Sequence, residues 1–338
     1  MRSVAFVLVI PLLACSATVS QIEPPPPDGA TDGGGGDAPS TMLPVGFQLA
    51  SPTIDVNPGV EVTYCYYFHT SNTRDLMIQS WASHMTAGVH DAIVFLTPTD
   101  QQTAGTMSTT DCGITNSASG PGWAYAAQTA NVAQSTDGES QMPANDGDGN
   151  PIGQVIKAGQ SGFLQMHYIN TTTAVIHPHV EVVAYAYPGD VQVTPAALFV
   201  TFNLKIQLDP GSPASPTTGT VNGTCPVPLD DAGQPLKFVT MTTHTHKQGV
   251  HTSVKDGTTM VFDSTSWDQP GAASWPKSPF FTFKTGTLTY QCDYQNPNNY
   301  TIRTGDNAAT DEMCMAIGYF FPAPSGAGHF CLNSAMVF

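Results

Sequence analysis

The chain has 338 residues, a formal net charge of −16, only 11% charged residues, and 31 glycines and 28 prolines. An acidic surface argues against nucleic acid or an anionic membrane as a partner, and no stretch beyond the N-terminus is long and apolar enough to span a bilayer. Few charges, many turn formers and frequent Thr/Val/Tyr/Phe runs point to an all-β protein.

The first residues read as a targeting segment. Met1-Arg2 is a minimal positive region, Val4 to Leu13 is apolar, and Leu12-Leu13-Ala14-Cys15 resembles the lipobox of bacterial lipoproteins. That resemblance implies lipidation of Cys15 and a signal over residues 1–15; an ordinary secretory signal cleaved a little later is the alternative. Ser16 rather than Asp follows the cysteine, which points to the outer membrane, on its periplasmic or cell-surface face. Residues 16–42 hold a proline run (Pro24 to Pro27) and a glycine run (Gly33 to Gly36) and cannot bury a core. They are expected to form a disordered tether, so the membrane is met only through the lipid.

From Phe47 onward short apolar runs predict strands at Glu61–Phe68, Ala92–Leu96, Phe163–Tyr168 and Val180–Tyr187. The intervening 99–152 stretch reads as polar and loop-rich. Its Asp146-Gly147-Asp148-Gly149-Asn150 segment is similar to part of a calcium loop but lacks the closing bidentate Glu, so a plain loop is expected. Pro188 to Pro195 reads as a domain junction. A second set of strands follows at Leu198–Ile206, Phe238–His246, Thr258–Phe262, Phe280–Lys284, Leu288–Tyr294 and Met313–Phe321. The expected architecture is two tandem antiparallel β-sandwich, jelly-roll-like domains, 43–192 and 193–338, in a monomer.

Seven cysteines are an odd number. Assigning Cys15 to lipid leaves Cys65, Cys112, Cys225, Cys292, Cys314 and Cys331, which read as three disulfides formed in an oxidising compartment. None lies in a C-x-x-C pair, and no phosphate loop, G-x-S-x-G elbow or H-E-x-x-H motif is present.

The ten histidines are numerous for a chain with ten Lys+Arg. His244-Thr245-His246 lies in a predicted strand, where residues two apart share a face, so both imidazoles can aim at one point. Asp311-Glu312-Met313-Cys314 adds a thioether, and sulfur joined to imidazoles favours copper, especially Cu(I). In the first half, His90-Asp91 precedes an apolar strand and His167 lies in Leu164-Gln165-Met166-His167-Tyr168. His177-Pro178-His179 reads as a surface pair, His251 as a loop residue, and His69 and His329 have no evident partner.

Together, His244-Thr245-His246, Leu164-Gln165-Met166-His167-Tyr168 and Asp311-Glu312-Met313-Cys314 resemble the copper type II, ascorbate-dependent monooxygenases. This is the family of peptidylglycine α-hydroxylating monooxygenase and dopamine β-monooxygenase. The motifs occur in the family's order across roughly residues 45–338. The resemblance implies that His244, His246 and Met313 ligate an oxygen-binding copper, and that His90 and His167 ligate an electron-donating copper. It also implies disulfides Cys65–Cys112, Cys225–Cys331 and Cys292–Cys314.

The departures are informative. Where the family has two adjacent histidines the chain has His90-Asp91, so the first copper has lost a ligand, uses Asp91, or recruits His84. A carboxylate is a harder ligand and favours Cu(II). Where peptide-amidating members carry Arg, Asn and Tyr, this chain has Thr242, Met315 and Ile317, which predicts a less polar pocket unsuited to a peptide carboxylate. The expected activity is hydroxylation of a C–H bond in a small organic substrate, using O₂, two coppers and a reductant such as ascorbate. The alternative is a non-catalytic copper-binding lipoprotein; a structural surface protein with incidental histidines is the third reading.

Overall fold

The structure, a computed structural model, describes residues 43–110, 112, 122–129, 131–323, 326 and 328–336. The signal, Cys15 and the 16–42 tether lie outside the described residues. The all-β expectation holds: every regular element among the described residues is a strand.

Two sheets come from the first half. In one, Leu76–Met85 sits centrally, flanked by Val180–Ala186 and Ile152–Ile156, with Val45–Ala50 and Thr194–Pro195 at the edges and Thr136–Gln141 also paired to it. The other orders Met107–Ser108, Glu61–His69, Ser161–Ile169, Val89–Thr97 and Gly122–Gln128, antiparallel throughout. The two main sheets of the second half have seven and four strands. One centres on Ala197–Phe202 and Met315–Phe321; the other orders Thr217–Pro226, Thr287–Asn296, Gly249–Asp256 and Thr259–Ser264. Among the described residues, no sheet draws strands from both sides of residue 196, while Leu43–Phe338 forms one compact unit.

The strands follow from period-two burial. Val180–Ala186 and Thr287–Asn296 alternate buried and half-buried residues, as expected of sheets with one face on a core. Val89–Thr97 and Ser161–Ile169 are instead buried almost throughout, because both of their faces are covered. The first-half core stacks Trp81 on Tyr125 and sets it edge-on to Phe47. In the second half, Phe199, Phe238 and Phe320 form the aromatic centre. A third cluster joins Met142 and Ile152 of the first half to Leu198, Val239, Met315, Tyr319 and Phe321 of the second. Burying each such side chain contributes about 1.5–3 kcal/mol. Tyr319 also donates its hydroxyl to the Ala124 carbonyl at 2.6 Å, tying the halves together.

The three disulfides are Cys65–Cys112, Cys225–Cys331 and Cys292–Cys314. This is the pairing implied by the resemblance.

Some elements differ from the sequence reading. Leu76–Met85, Thr217–Pro226 and Gly249–Asp256 are strands that local composition did not announce; the last carries His251, which is therefore not a loop residue. Thr217–Pro226 exposes alternate Thr and Asn side chains and contains two glycines, so its strand character comes from a ten-residue ladder with Thr287–Asn296. The 99–152 stretch contains Gly122–Gln128 and Thr136–Gln141. Phe280–Lys284 is not a strand. Its aromatics pack on Trp275, Phe238 and Phe321, and the backbone makes only a bridge from Phe281 to Phe238.

Candidate metal centre

Consecutive residues on a regular strand face opposite ways, so His90 and Asp91 should not share a site. They do so because the register against Ser161–Ile169 slips between Val89 and Asp91, leaving His90 as an extra residue. Such a bulge interrupts the alternation and re-aims a side chain. Asp91 then stands opposite His167, and its Oδ2 lies 3.0 Å from His90 Nδ1 and 3.2 Å from His167 Nδ1. All three residues are buried, and their donor atoms lie within 4.8 Å of one another. The His90 ring is held between Trp267, stacked at 5.2 Å, and His167, edge-on at 5.1 Å.

Further out, His167 Nε2 lies 3.1 Å from Glu61 Oε1, and Lys247 Nζ donates to Glu61 Oε2 at 3.1 Å. Burial alone would raise the Glu61 carboxyl, but His167 and Lys247 hold it down at about 2. Burial likewise opposes charge on His167, yet hydrogen bonds to Asp91 and Glu61 raise it to about 9. Asp91 lies well below the usual carboxylate range, because its two histidine partners outweigh its burial.

The second donor set starts from the strand Thr240–His244, whose His244 pairs with Met315. The strand ends there, and the turn that follows is caught by a single side chain. Glu312, fully buried, accepts from Gln248 N at 2.8 Å, His246 N at 2.9 Å and Met313 N at 3.2 Å. Its carboxyl is pushed up to about 8 by burial, against those three N–H groups. The Met313 carbonyl accepts from Tyr294 at 2.6 Å, and the next residue is tied by the Cys292–Cys314 disulfide. Met313 is thus fixed at its N–H, its carbonyl and its neighbour.

His244 and His246 lie 5.5 Å apart between ring centroids, at 86°. Burial holds both neutral, near pKa 4 for His244 and about 3 for His246. His246 Nδ1 donates to the Asp311 carbonyl at 2.8 Å, which leaves Nε2 carrying the lone pair. Two neutral imidazoles, one with its tautomer locked by a carbonyl, and a buried thioether form a donor set that fits copper.

The two sets face one space. Asp91, His167, His244, His246, Met313 and Met315 line a narrow pocket between the halves, about 400 Å³ only when space open to solvent is included. Asp91, Ile93, Trp123 and His244 are also walls of a larger cleft, about 1080 Å³ including space open to solvent. Thr242, Ile317, Leu198, Tyr319 and Pro270 line that cleft, with Asp268 and Asp91 as its acidic groups. The Thr242 hydroxyl donates to the Gly271 carbonyl at 2.5 Å, so this wall offers no free donor there.

His84 takes no part. It lies on the other first-half sheet, pairs with Asp137 at 2.7 Å and is absent from the cavity wall. His177 pairs with Asp55, His251 is set between Asp263 and Asp293, His69 meets Asp100, and His329 stacks on Phe320. The Asp146 carboxylate is occupied by Asp148 N, Asn150 and Thr194, consistent with a self-contained loop.

Glu61, Lys247, Trp267 and Tyr294 were not marked by the sequence. Glu61 reaches His167 because Thr63, two residues along and on the same face, is opposite it in the ladder. That signal needs the strand pairing, not only the sequence.

No protein-family model matches the chain. No curated protein sequence matches it either. Among solved structures, it is similar to the exported protein XepA of PBSX (9% identity, 81% of this chain and 86% of that one, TM-score 0.23). It is also similar to the major capsid protein P2 of bacteriophage PM2 (8% identity, 81% and 97%, TM-score 0.30). A third match is to Sulfolobus turreted icosahedral virus (9% identity, 81% and 59%, TM-score 0.18). Likenesses this distant carry no argument about what the cavity does.

Proposed function

We propose that the chain is a copper-dependent monooxygenase acting on a small, weakly polar organic substrate. The overall reaction converts R–H, O₂, two electrons and two protons into R–OH and water, with a reductant such as ascorbate supplying the electrons singly. The observation that carries this reading is the convergence of neutral His244, neutral His246 and buried Met313 on one cavity beside a substrate-sized cleft. Those three residues would hold the copper. When bound, it supplies one-electron exchange and an open position for O₂. The remaining work belongs to the chain: Glu312 and Tyr294 keep Met313 in place, and Thr242, Ile317 and Tyr319 orient a substrate without offering a cation to a carboxylate.

The test is O₂ uptake by copper-loaded protein with ascorbate, screened against candidate substrates. Met313→Ile is expected to abolish turnover while leaving the circular dichroism spectrum and melting temperature near wild type; retained turnover would overturn the ligand assignment. Export fits the three disulfides. Lipid anchoring at the outer membrane is part of the same proposal, and is checked by fatty-acid labelling that disappears in Cys15→Ala.

One observation favours the second reading, a non-catalytic copper-binding lipoprotein. Both ring nitrogens of His167 already face carboxylates, so the first-half group is not an all-imidazole copper site. Binding of one copper, lost in His244→Ala, retained in His167→Ala and without O₂ uptake, would select this reading.

A further inference from the structure

We infer that His90, Asp91 and His167 form a site for a divalent first-row cation of the zinc or ferrous class, distinct in chemistry from the copper(I) donors across the cavity. The inference rests on the cavity being a metal centre, but not on copper occupying His244, His246 and Met313.

Geometry comes first. Ligands about 2.0–2.2 Å from one ion at angles of about 90–110° stand about 2.8–3.6 Å from each other. Asp91 Oδ2 lies 3.0 Å from His90 Nδ1 and 3.2 Å from His167 Nδ1. Asp91 Oδ2 is therefore already at the spacing of a neighbouring ligand from each imidazole, and all three donors lie within 4.8 Å of one another. The bulge at His90 is what places adjacent residues on one side, so the arrangement is built into the backbone.

The surroundings agree. A metal-bound histidine usually donates its other ring N–H to a carboxylate, which fixes its tautomer. His167 Nε2 has Glu61 Oε1 at 3.1 Å for this, and Lys247 holds Glu61 from the second half. Asp91 and His167 are cavity walls, so a fourth position on the ion would open toward the cavity.

Chemistry then separates the two sets. Two imidazoles and a carboxylate are a borderline-to-hard set suited to zinc or non-haem ferrous iron. Two imidazoles and a thioether are soft and suit Cu(I). The third donor, a carboxylate at Asp91 against a thioether at Met313, is what makes the sites unlike. Occupancy also ranks the ligands. With Nδ1 on the metal, the His90 proton moves to Nε2, a buried atom with no hydrogen-bond partner among the described residues. His90 is therefore the weaker imidazole ligand.

The test uses metal-stripped full-length protein, with Zn²⁺ and Cu⁺ as probes, the latter under anaerobic conditions, each measured by competition with a chromophoric chelator. Wild type is expected to hold one Zn²⁺ and one Cu⁺ together. Asp91→Asn and His167→Ala should weaken Zn²⁺ by 100-fold or more, and Glu61→Gln by about 10- to 100-fold, with one equivalent of Cu⁺ still bound. His90→Ala should weaken Zn²⁺ less than His167→Ala. Co²⁺ in place of Zn²⁺ should give d–d absorption that Asp91→Asn alters. Two Cu⁺ ions per chain with no Zn²⁺ retained, or Zn²⁺ binding untouched by Asp91→Asn and Glu61→Gln, would overturn the assignment. So would absence of Zn²⁺ uptake, leaving the triad as an ion-pair network. Loss of Cu⁺ binding with Zn²⁺ intact would instead defeat the copper reading and support this one.

Discussion

Glu312 is the side chain whose removal should most clearly separate a built metal centre from a chance grouping of histidines. It is fully buried, and its two oxygens accept three backbone N–H groups, those of His246, Gln248 and Met313. In Glu312→Ala three buried donors lose their acceptor at about 1–3 kcal/mol each, partly offset because the carboxyl's own desolvation is relieved. A net loss of about 3–5 kcal/mol is expected, which at about 2 °C per kcal/mol for a unit of this size lowers the melting temperature by about 6–10 °C. Glu312→Gln keeps one acceptor oxygen but turns an amide N–H₂ toward a backbone donor, so a loss of about 1–3 kcal/mol is expected. Stability alone would report only a core residue. The discriminating measurement is Cu⁺ affinity at a temperature where both variants are folded, read by chelator competition. Because one carboxyl ties the His246 turn to the Met313 backbone, affinity should fall about 10- to 100-fold in Glu312→Gln. A variant that melts lower yet binds Cu⁺ as wild type would refute this account of how the donors are held.

The Cys292–Cys314 bridge closes a 22-residue separation beside Met313. Replacing both cysteines by serine should cost about 3 kcal/mol in urea unfolding and also weaken Cu⁺ binding, because Met313 loses one restraint; unchanged Cu⁺ affinity would count against that restraint. Asp146 tests a region remote from the donors. Burial opposes its charge, but four hydrogen bonds from Thr194, Asn150 and Asp148 hold its pKa at about 2. A carboxylate depressed in the folded state stabilises above its unfolded pKa and loses that contribution as pH falls. Asp146→Asn is therefore expected to melt lower than wild type at neutral pH, by about 1–2 kcal/mol in stability, with the gap closing between about pH 4 and 2. A gap independent of pH would show that packing, not charge, is responsible.

What could be read from the sequence was what period and composition encode locally. Few charges and many β-formers are summed over the whole chain, so the all-β class was legible. His244 and His246 were legible as a pair from the two-residue period of a strand, although the strand ends at His244 and Glu312 holds the turn that carries His246. The strand Thr240–His244 and its neighbour Met315–Phe321 were both foreseen, although each begins two residues later than expected. By contrast, Thr217–Pro226 is held by its partner ladder rather than by its own residues, and Gly249–Asp256 carries a register shift between Gly249 and His251 that blurs its alternation.

The first-half triad of His90, Asp91 and His167 was named through the family resemblance, and local period could not have reached it, for a sharper reason. Strand periodicity, applied faithfully, separates His90 from Asp91, and only the slipped register against His167 reunites them. The same logic hid Glu61 and Lys247, which lie 186 residues apart and meet only because the two halves pack together. Local period thus reports donors that share one regular strand, and it is silent where a bulge or a packing interface assembles them. The residue that gives the first-half set its distinct chemistry, Asp91, is one that strand periodicity alone would have turned away from the site.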